Sequence, residues 1–237
     1  MPIDTTKTVI MRLVIFMSPP AAKTLVQQRL VAKKKACSMR KKAETHSPSP
    51  IIIAMGSILL RTERLQLRSA AAELAAADLN DRSDFSRLLE ADVPPDWPPP
   101  LNDDNTKAFT LNYLKENPDA AGWGTWYFLL PGRAEDRTRV IGIGGFKGKP
   151  SREGMVEIGY SVMPDYQRLG FASEAAAGLI GWAFSHPEVL LVTAETLPAL
   201  GASIRVLENN GLHLLGKGSE EGVIRYGIDR NQFQPQC

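Results

Sequence analysis

The sequence predicts an α/β domain (α+β mixed), a mixed sheet with flanking helices, over residues 55–237. Three observations carry that prediction. Short segments of alternating apolar and polar residues interleave with segments of helical periodicity. Residues 157–184 (EIGYSVMPDYQRLGFASEAAAGLIGWAF) read as a strand, a proline- and glycine-marked turn and a helix. The chain has 237 residues, 43% apolar and 23% charged, the balance of an ordinary globular chain long enough to bury a core without staples.

Residues 1–54 stand apart from that domain. Residues 1–50 mix Pro, Ser, Lys and Ala without sustained periodicity and end in a Ser-Pro-Ser-Pro run, the composition of a flexible tail. Their basic cluster at 33–42 (KKKACSMRKK) reads as a solvated tail, as sequence upstream of the true start, or as a nuclear signal or nucleic-acid patch. Met55 stands where an internal start would fall. Lys7 and the apolar run at 9–17 outline a faint signal peptide, a reading that Arg12 and the following basic run weaken.

Order is expected from Ile58. Residues 65–68 (LQLR) alternate as a strand does, and the alanine-rich stretch 70–79 favours helix. Residues 83–91 (SDFSRLLEA) form a second helix opened by a Ser or Asp cap. Pro94, Pro95, Pro98, Pro99 and Pro100 forbid regular structure between them, and helical spacing resumes at 105–116. Residues 123–130, 139–147 and 154–162 read as strands, with a turn at Pro131-Gly132. A helix over 167–184, a strand over 189–195 and a helix over 199–210, closed by Gly211, follow. Residues 212–215 and 223–228 complete the sheet. Strand, helices, three strands, helix, strand, helix and two strands make one domain.

Charge and cysteine content exclude several classes. A net charge of +2 does not argue for nucleic acid as a general partner. Glu90, Asp92, Asp96, Asp103 and Asp104 form an acidic region. Cys37 and Cys237 match neither a disulfide framework nor a cysteine–zinc pattern, and fit a reducing, cytoplasmic setting. No apolar run reaches the roughly 20 residues that span a bilayer, so no membrane partner is expected. His46, His186 and His213 are scattered and suggest no metal site.

The chemistry concentrates in residues 155–172. On a strand over 155–162, Val156, Ile158, Tyr160 and Val162 share one face, and Met155, Glu157, Gly159 and Ser161 the other. A mid-strand carboxylate is costly if buried unpaired. Glu157 therefore either faces solvent at an edge or lines a cleft, where it becomes a proton acceptor. Pro164 ends the strand, and Gly170 permits a backbone conformation that side chains disfavour. Ala172, Ala176, Ile180 and Phe184 form an apolar helical stripe. The helix start offers free N–H groups and a positive dipole end, a phosphate cradle to which Arg168 adds charge. Ala172, Ala175 and Gly178 allow close approach by a ligand or by the sheet.

These residues resemble a known family. Residues 167–172 (QRLGFA) resemble the Q/R-x-x-G-x-G/A pyrophosphate loop of the GNAT superfamily of N-acetyltransferases. With 62–68 (TERLQLR), 157–160 (EIGY) and 202–211 (ASIRVLENNG), the chain resembles the branch that includes the ribosomal-protein N-terminal acetyltransferases, over about residues 58–228. The resemblance implies an acyl-CoA N-acyltransferase fold, a curved mixed sheet splayed at its centre near the Glu157 strand. Acetyl-CoA would be co-substrate, with no metal. Its pantetheine would pair with Tyr160, Ser161 and Val162, and its pyrophosphate would sit on the backbone of Gln167, Arg168, Leu169, Gly170, Phe171 and Ala172. An amine would attack the thioester directly, with Glu157 as base, directly or through a water, and N–H groups near Tyr160 and Ser161 facing the developing oxyanion.

Two departures bear on acid catalysis. Leu200 stands where many members have an asparagine, and Leu207 where many have a tyrosine that protonates the leaving thiolate. Ser203 matches the serine proposed for the ribosomal-protein branch; it is either that acid or an ordinary helix-start serine. Asn209 and Asn210 make polar contacts or terminate the helix. The acceptor, a small-molecule amine or a protein N-terminus, is expected near the early helices and the 94–100 loop. There the acidic residues with Trp97 and Trp126 attract a cation or form a plain solvated surface. A homodimer is admitted. The other readings are a non-catalytic acyl-CoA-binding module and a nucleic-acid binder acting through the tail.

Overall fold

The structure is a computed structural model that describes residues 51–53, 56–100, 102–132 and 136–234. The basic cluster, Met55, both cysteines and His46 lie outside the described residues. In chain order the elements are β1 (Ile51–Ile53), β2 (Ser57–Arg61), β3 (Gln66–Ser69), α1 (Ala72–Asn80), α2 (Arg82–Leu89) and α3 (Asp104–Glu116). Then come β4 (Thr125–Leu130), β5 (Arg139–Phe146), β6 (Met155–Val162), α4 (Phe171–Phe184), β7 (Leu191–Thr196), α5 (Gly201–Asn209), β8 (His213–Lys217) and β9 (Ile224–Asp229).

The sheet runs β1-β2-β3-β4-β5-β6-β7-β9-β8. Neighbours are antiparallel except β6 and β7, which run parallel. A parallel neighbour requires a crossover, and α4 supplies it. Order begins earlier than Ile58, because β1 pairs with β2 through Ile51↔Leu59 and Ile53↔Ser57. These strands are too short for periodicity to reveal. Helix α4 begins at Phe171 rather than at 167, because Arg168 (φ 62°) and Gly170 (φ 85°) are left-handed and cannot be helical. Helix α2 begins one residue early, capped by Asp81, whose carboxylate accepts from the Ser83 and Asp84 amides. Helix α5 is shorter at both ends than 199–210.

Each face of the sheet buries its own core. On one face α4 and α5 pack Ala175, Leu179, Ile180, Trp182 and Leu207 against Trp126, Phe128, Val156, Ile158 and Val192. On the other, α1, α2 and α3 bring Leu74, Phe85, Leu89, Leu111 and Leu114 onto Tyr127, Leu129, Val140 and Ile143. Strand alternation sends Trp126 and Phe128 one way and Tyr127 and Leu129 the other. Trp126 is therefore core: it is fully buried and its indole donates to the Gly122 carbonyl at 2.7 Å. This overturns its expected place beside the acceptor. Gly178 serves the sheet, since a Cβ there would lie 2.8 Å from Leu67 Cδ1 and 3.1 Å from Thr62 Cγ2.

Candidate active site

The sheet parts at Glu157. Strands β6 and β7 pair through Met155↔Leu191, Val156↔Val192 and Glu157↔Thr193, and there the ladder stops. Beyond it β6 pairs only with β5, through Phe146↔Ile158 to Gly142↔Val162. Strand β7 pairs only with β9, out to Thr196↔Ile224. Residues 158–162, among them Tyr160, Ser161 and Val162, thus have no strand partner on the β7 side. Backbone N–H and C=O groups are obligatory hydrogen-bonding groups. An open edge in mid-sheet accordingly suits an extended, amide-bearing ligand. On the diverging end of β7, the Thr196 hydroxyl is buried without a hydrogen-bond partner.

The turn after β6 is an anion cradle by construction. The strand ends in a short 3-10 turn at Pro164–Tyr166. The Gln167 side chain donates to the Val162 carbonyl at 3.0 Å and ties the turn to the strand. Arg168 and Leu169 are exposed, while Phe171 is buried and Ala172 half-buried, so the turn offers a ligand its backbone together with the Arg168 charge. Gly170 caps α4 without a side-chain acceptor, leaving the first amides of a 14-residue helix to a ligand.

Two clamps hold the first turn of α4, and of these the sequence signalled only the Asn210 side chain. The Glu174 carboxylate accepts from the Thr62 hydroxyl at 2.6 Å, the Arg64 amide at 2.6 Å and Arg64 Nε at 2.7 Å. Burial pushes the Glu174 carboxyl up, but these donors outweigh it and hold it below the usual carboxylate range. Arg64 also donates to the Leu169 carbonyl at 3.0 Å and lies 4.4 Å over the Phe171 ring. From the other side, the Asn210 amide donates to the Ser173 carbonyl at 3.1 Å and to Val206 at 2.8 Å. Asn210 thus both ends α5 and bridges to α4. The residues lay within segments already singled out by resemblance, but their partners are distant in the chain.

Glu157 lies at the point of parting, on the β6 face opposite α4, and is paired with Lys147 from the end of β5. Its side chain is half-buried, at the last residue where β6 pairs with β7. On the same face, Ser161 donates to the Pro100 carbonyl at 3.3 Å, which brings the proline-rich loop over the far half of β6. Across the parting, β7 places a second carboxylate, Glu195, only 2% exposed. It accepts from the Ser219 amide and hydroxyl, both at 2.7 Å, and from Arg225 at 2.6 Å. Burial raises the Glu195 carboxyl, yet these donors together leave it below the usual range. Strand alternation alone gave no sign of it.

Ser203 is buried in the first turn of α5, and the Tyr160 hydroxyl donates to its carbonyl at 3.4 Å, a long bond. Burial pushes the Tyr160 phenol well up, so it stays protonated. Leu207, one turn beyond Ser203, is core, and Leu200 caps α5 without a side-chain bond. The acidic region serves structure in several places. Asp92 pairs with Arg137 at 3.0 Å, and Asp103 caps α3. Trp97 donates to the buried Asp78 carboxylate at 2.8 Å, a site that Tyr127 and Lys107 share. Among the described residues no cluster suits a metal ion, and no helix is long and apolar enough to cross a membrane.

Comparison with known proteins bears on the family and the fold. A family model described as an acetyltransferase (GNAT) domain matches residues 64–213. The uncharacterized N-acetyltransferase YjdG of Bacillus subtilis is 30% identical over 167 residues, which cover 69% of this chain and 94% of that protein. YoaA of the same organism, also an uncharacterized N-acetyltransferase, is 30% identical over 96 residues, 40% of this chain and 51% of that protein. A solved probable acetyltransferase shares the fold at a TM-score of 0.51 and 16% identity, over 73% of this chain and 97% of that one.

Proposed function

From the premise that the chain belongs to the GNAT acetyltransferase family, we propose that it carries acetyl from acetyl-CoA to a primary amine by direct attack on the thioester. The acceptor is a small-molecule amine or a protein N-terminus. The observation that carries this reading is the parting of β6 from β7 immediately beyond Glu157 and Thr193. It joins an open strand edge, an uncapped helix start and a carboxylate within one crevice.

Each part has a role. The free edge at Tyr160, Ser161 and Val162 pairs with the amides of the pantetheine arm. The backbone of residues 167–172 receives the pyrophosphate, with Arg168 adding charge. An ammonium has no lone pair, so the acceptor must lose a proton before it attacks. Glu157 takes that proton, directly or through a water. Lys147 holds the carboxylate until a cationic acceptor competes for it. Amides near Tyr160 and Ser161 face the oxyanion that develops. Ser203 hydrogen-bonds to or protonates the departing sulfur. The catalytic domain is taken as residues 55–237 together with β1 (Ile51–Ile53), which joins its sheet, the residues before β1 as a basic extension, and the setting as cytoplasmic.

A thiol-release assay with acetyl-CoA and a broad amine panel tests this reading. Thiol release that depends on the amine supports it. Tight coenzyme binding with no amine acetylated favours instead a non-catalytic acyl-CoA-binding module, for which the Lys147–Glu157 pair is the observation in favour.

A further inference from the structure

Glycines within strands usually have a visible reason, and among the described residues Gly159 is the one that lacks it. In β5, a Cβ on Gly142 would lie 2.7 Å from the Ser161 carbonyl, and one on Gly144 would lie 2.7 Å from the Gly159 carbonyl. Gly145 has a φ of 135° and backs onto Gly124. Gly216 in β8 has a φ of 133°, and a Cβ on Gly227 in β9 would lie 2.6 Å from Leu215 Cδ1. Gly159 has no left-handed φ, and a Cβ built on it meets no atom within 4 Å. Both its backbone and its surroundings accept a side chain. Glycine in mid-strand weakens the strand and often marks where a ligand approaches closely.

The surroundings explain the opening. Gly159 shares its face with Glu157 and Ser161, two residues to either side. Its cross-strand partner on β5 is Gly145, which brings no side chain. On the other side β7 has already diverged, so no neighbour covers it. The result is a bare floor, bounded by the Glu157–Lys147 pair at one end and by the Ser161–Pro100 bond at the other. Gly159 is the next position on that face, about 7 Å along the strand from Glu157, so it is the nearest uncovered backbone to the substituents of an acceptor nitrogen hydrogen-bonded to Glu157.

We propose that Gly159 is the specificity-determining residue of the acceptor site. Its missing side chain makes room for a substituent on the nitrogen-bearing carbon, so the site takes amines branched at that carbon. A slender unbranched amine would leave the floor empty. The proposal rests on the acetyltransferase reading above and assigns the floor to the acceptor rather than to acetyl-CoA.

The test compares the wild type with Gly159→Ala and Gly159→Ser on three probes: butylamine, alanine amide and phenylalanine amide. Coenzyme A affinity and the unfolding midpoint are measured alongside. The wild type should favour the two amides over butylamine. The loss of kcat/KM in both variants should grow from butylamine through alanine amide to phenylalanine amide, by at least tenfold across the series. Coenzyme A affinity should hold within twofold, which also certifies the fold. Equal losses on all three probes, a preference of the wild type for butylamine, or a loss confined to the acetyl-CoA KM each overturns the proposal. A wild type that binds coenzyme A but acetylates neither these probes nor any amine of the broad panel overturns the acetyltransferase reading itself, and this inference falls with it; acetylation of panel amines but of none of the three probes overturns this inference alone.

Discussion

Arg64 and Glu174, 110 residues apart in the chain, form a two-point contact in which the Arg64 amide and Nε each meet a different carboxylate oxygen, at 2.6 and 2.7 Å. The pair fastens the β2–β3 turn to the first turn of α4. The same guanidinium reaches over to the Leu169 carbonyl and the Phe171 ring, so the residue braces the proposed phosphate loop. Arg64 is partly exposed, and the ion pair by itself adds little stability, about 0–1 kcal/mol. Its effect should therefore fall on the loop. Arg64→Ala should raise the KM for acetyl-CoA about tenfold, roughly 1.4 kcal/mol of donor binding, with kcat at saturation within about threefold. Arg64→Lys should recover only part, since an ammonium cannot fork between carboxylate and carbonyl. A variant with an unchanged KM and only a lower unfolding midpoint would reduce Arg64 to a surface tie.

Glu157→Gln keeps shape and removes the proton acceptor. Turnover should fall by about a hundredfold, the lower end for a positioned general base. The loss should be largest at low pH, where more of the acceptor arrives as ammonium. Coenzyme A affinity, measured by calorimetry, should change little, because the proposed role of Glu157 is on the acceptor. An unchanged pH–rate profile would remove Glu157 from the mechanism.

Gly170→Val places a β-branched residue at a φ of 85° and sets a Cβ 3.3 Å from Arg64 Nη2. The strain should cost about 1–3 kcal/mol of stability. Crowding of the helix start should weaken coenzyme A binding at least a hundredfold. Gly170→Asn tolerates the left-handed backbone better and should retain an intermediate affinity. Tight binding by the valine variant would move the phosphate elsewhere.

Glu195 provides a pH test. Its folded carboxyl sits below the usual range, because the Ser219 donors and Arg225 outweigh the burial that would raise it. A depressed carboxyl stabilises the fold fully above the unfolded value, about 4.3. That stability drains away as pH falls through the folded value. Between about pH 5 and about pH 3, Glu195→Gln should therefore lose less of its unfolding midpoint than the wild type does. Arg225→Met, which leaves the carboxylate without its guanidinium, should cost about 2 kcal/mol at neutral pH by chemical denaturation.

What local backbone physics controls is legible in the residues alone. Pro164, Gly170 and the apolar stripe after them mark a strand, a turn and a helix, because proline, glycine and a 3.6-residue period act over a few positions. Alternation assigned Glu157, Gly159 and Ser161 to one face correctly, since a strand leaves only two faces. Tertiary structure decided what depends on which strand lies alongside. Lys147 meets Glu157 because β5 pairs with β6. Glu195 lies across the parting because β7 crosses back in parallel, and its partners Ser219 and Arg225 arrive on the β8–β9 hairpin. Trp126, expected with Trp97 beside the acceptor, is core because α4 covers its face of β4. Short strands β1 and β2 exist only by pairing, with too few residues to show a period. The opening at Gly159 is non-local in the same sense: it is a place where a neighbouring strand has left, and no residue in the sequence can record the departure of another.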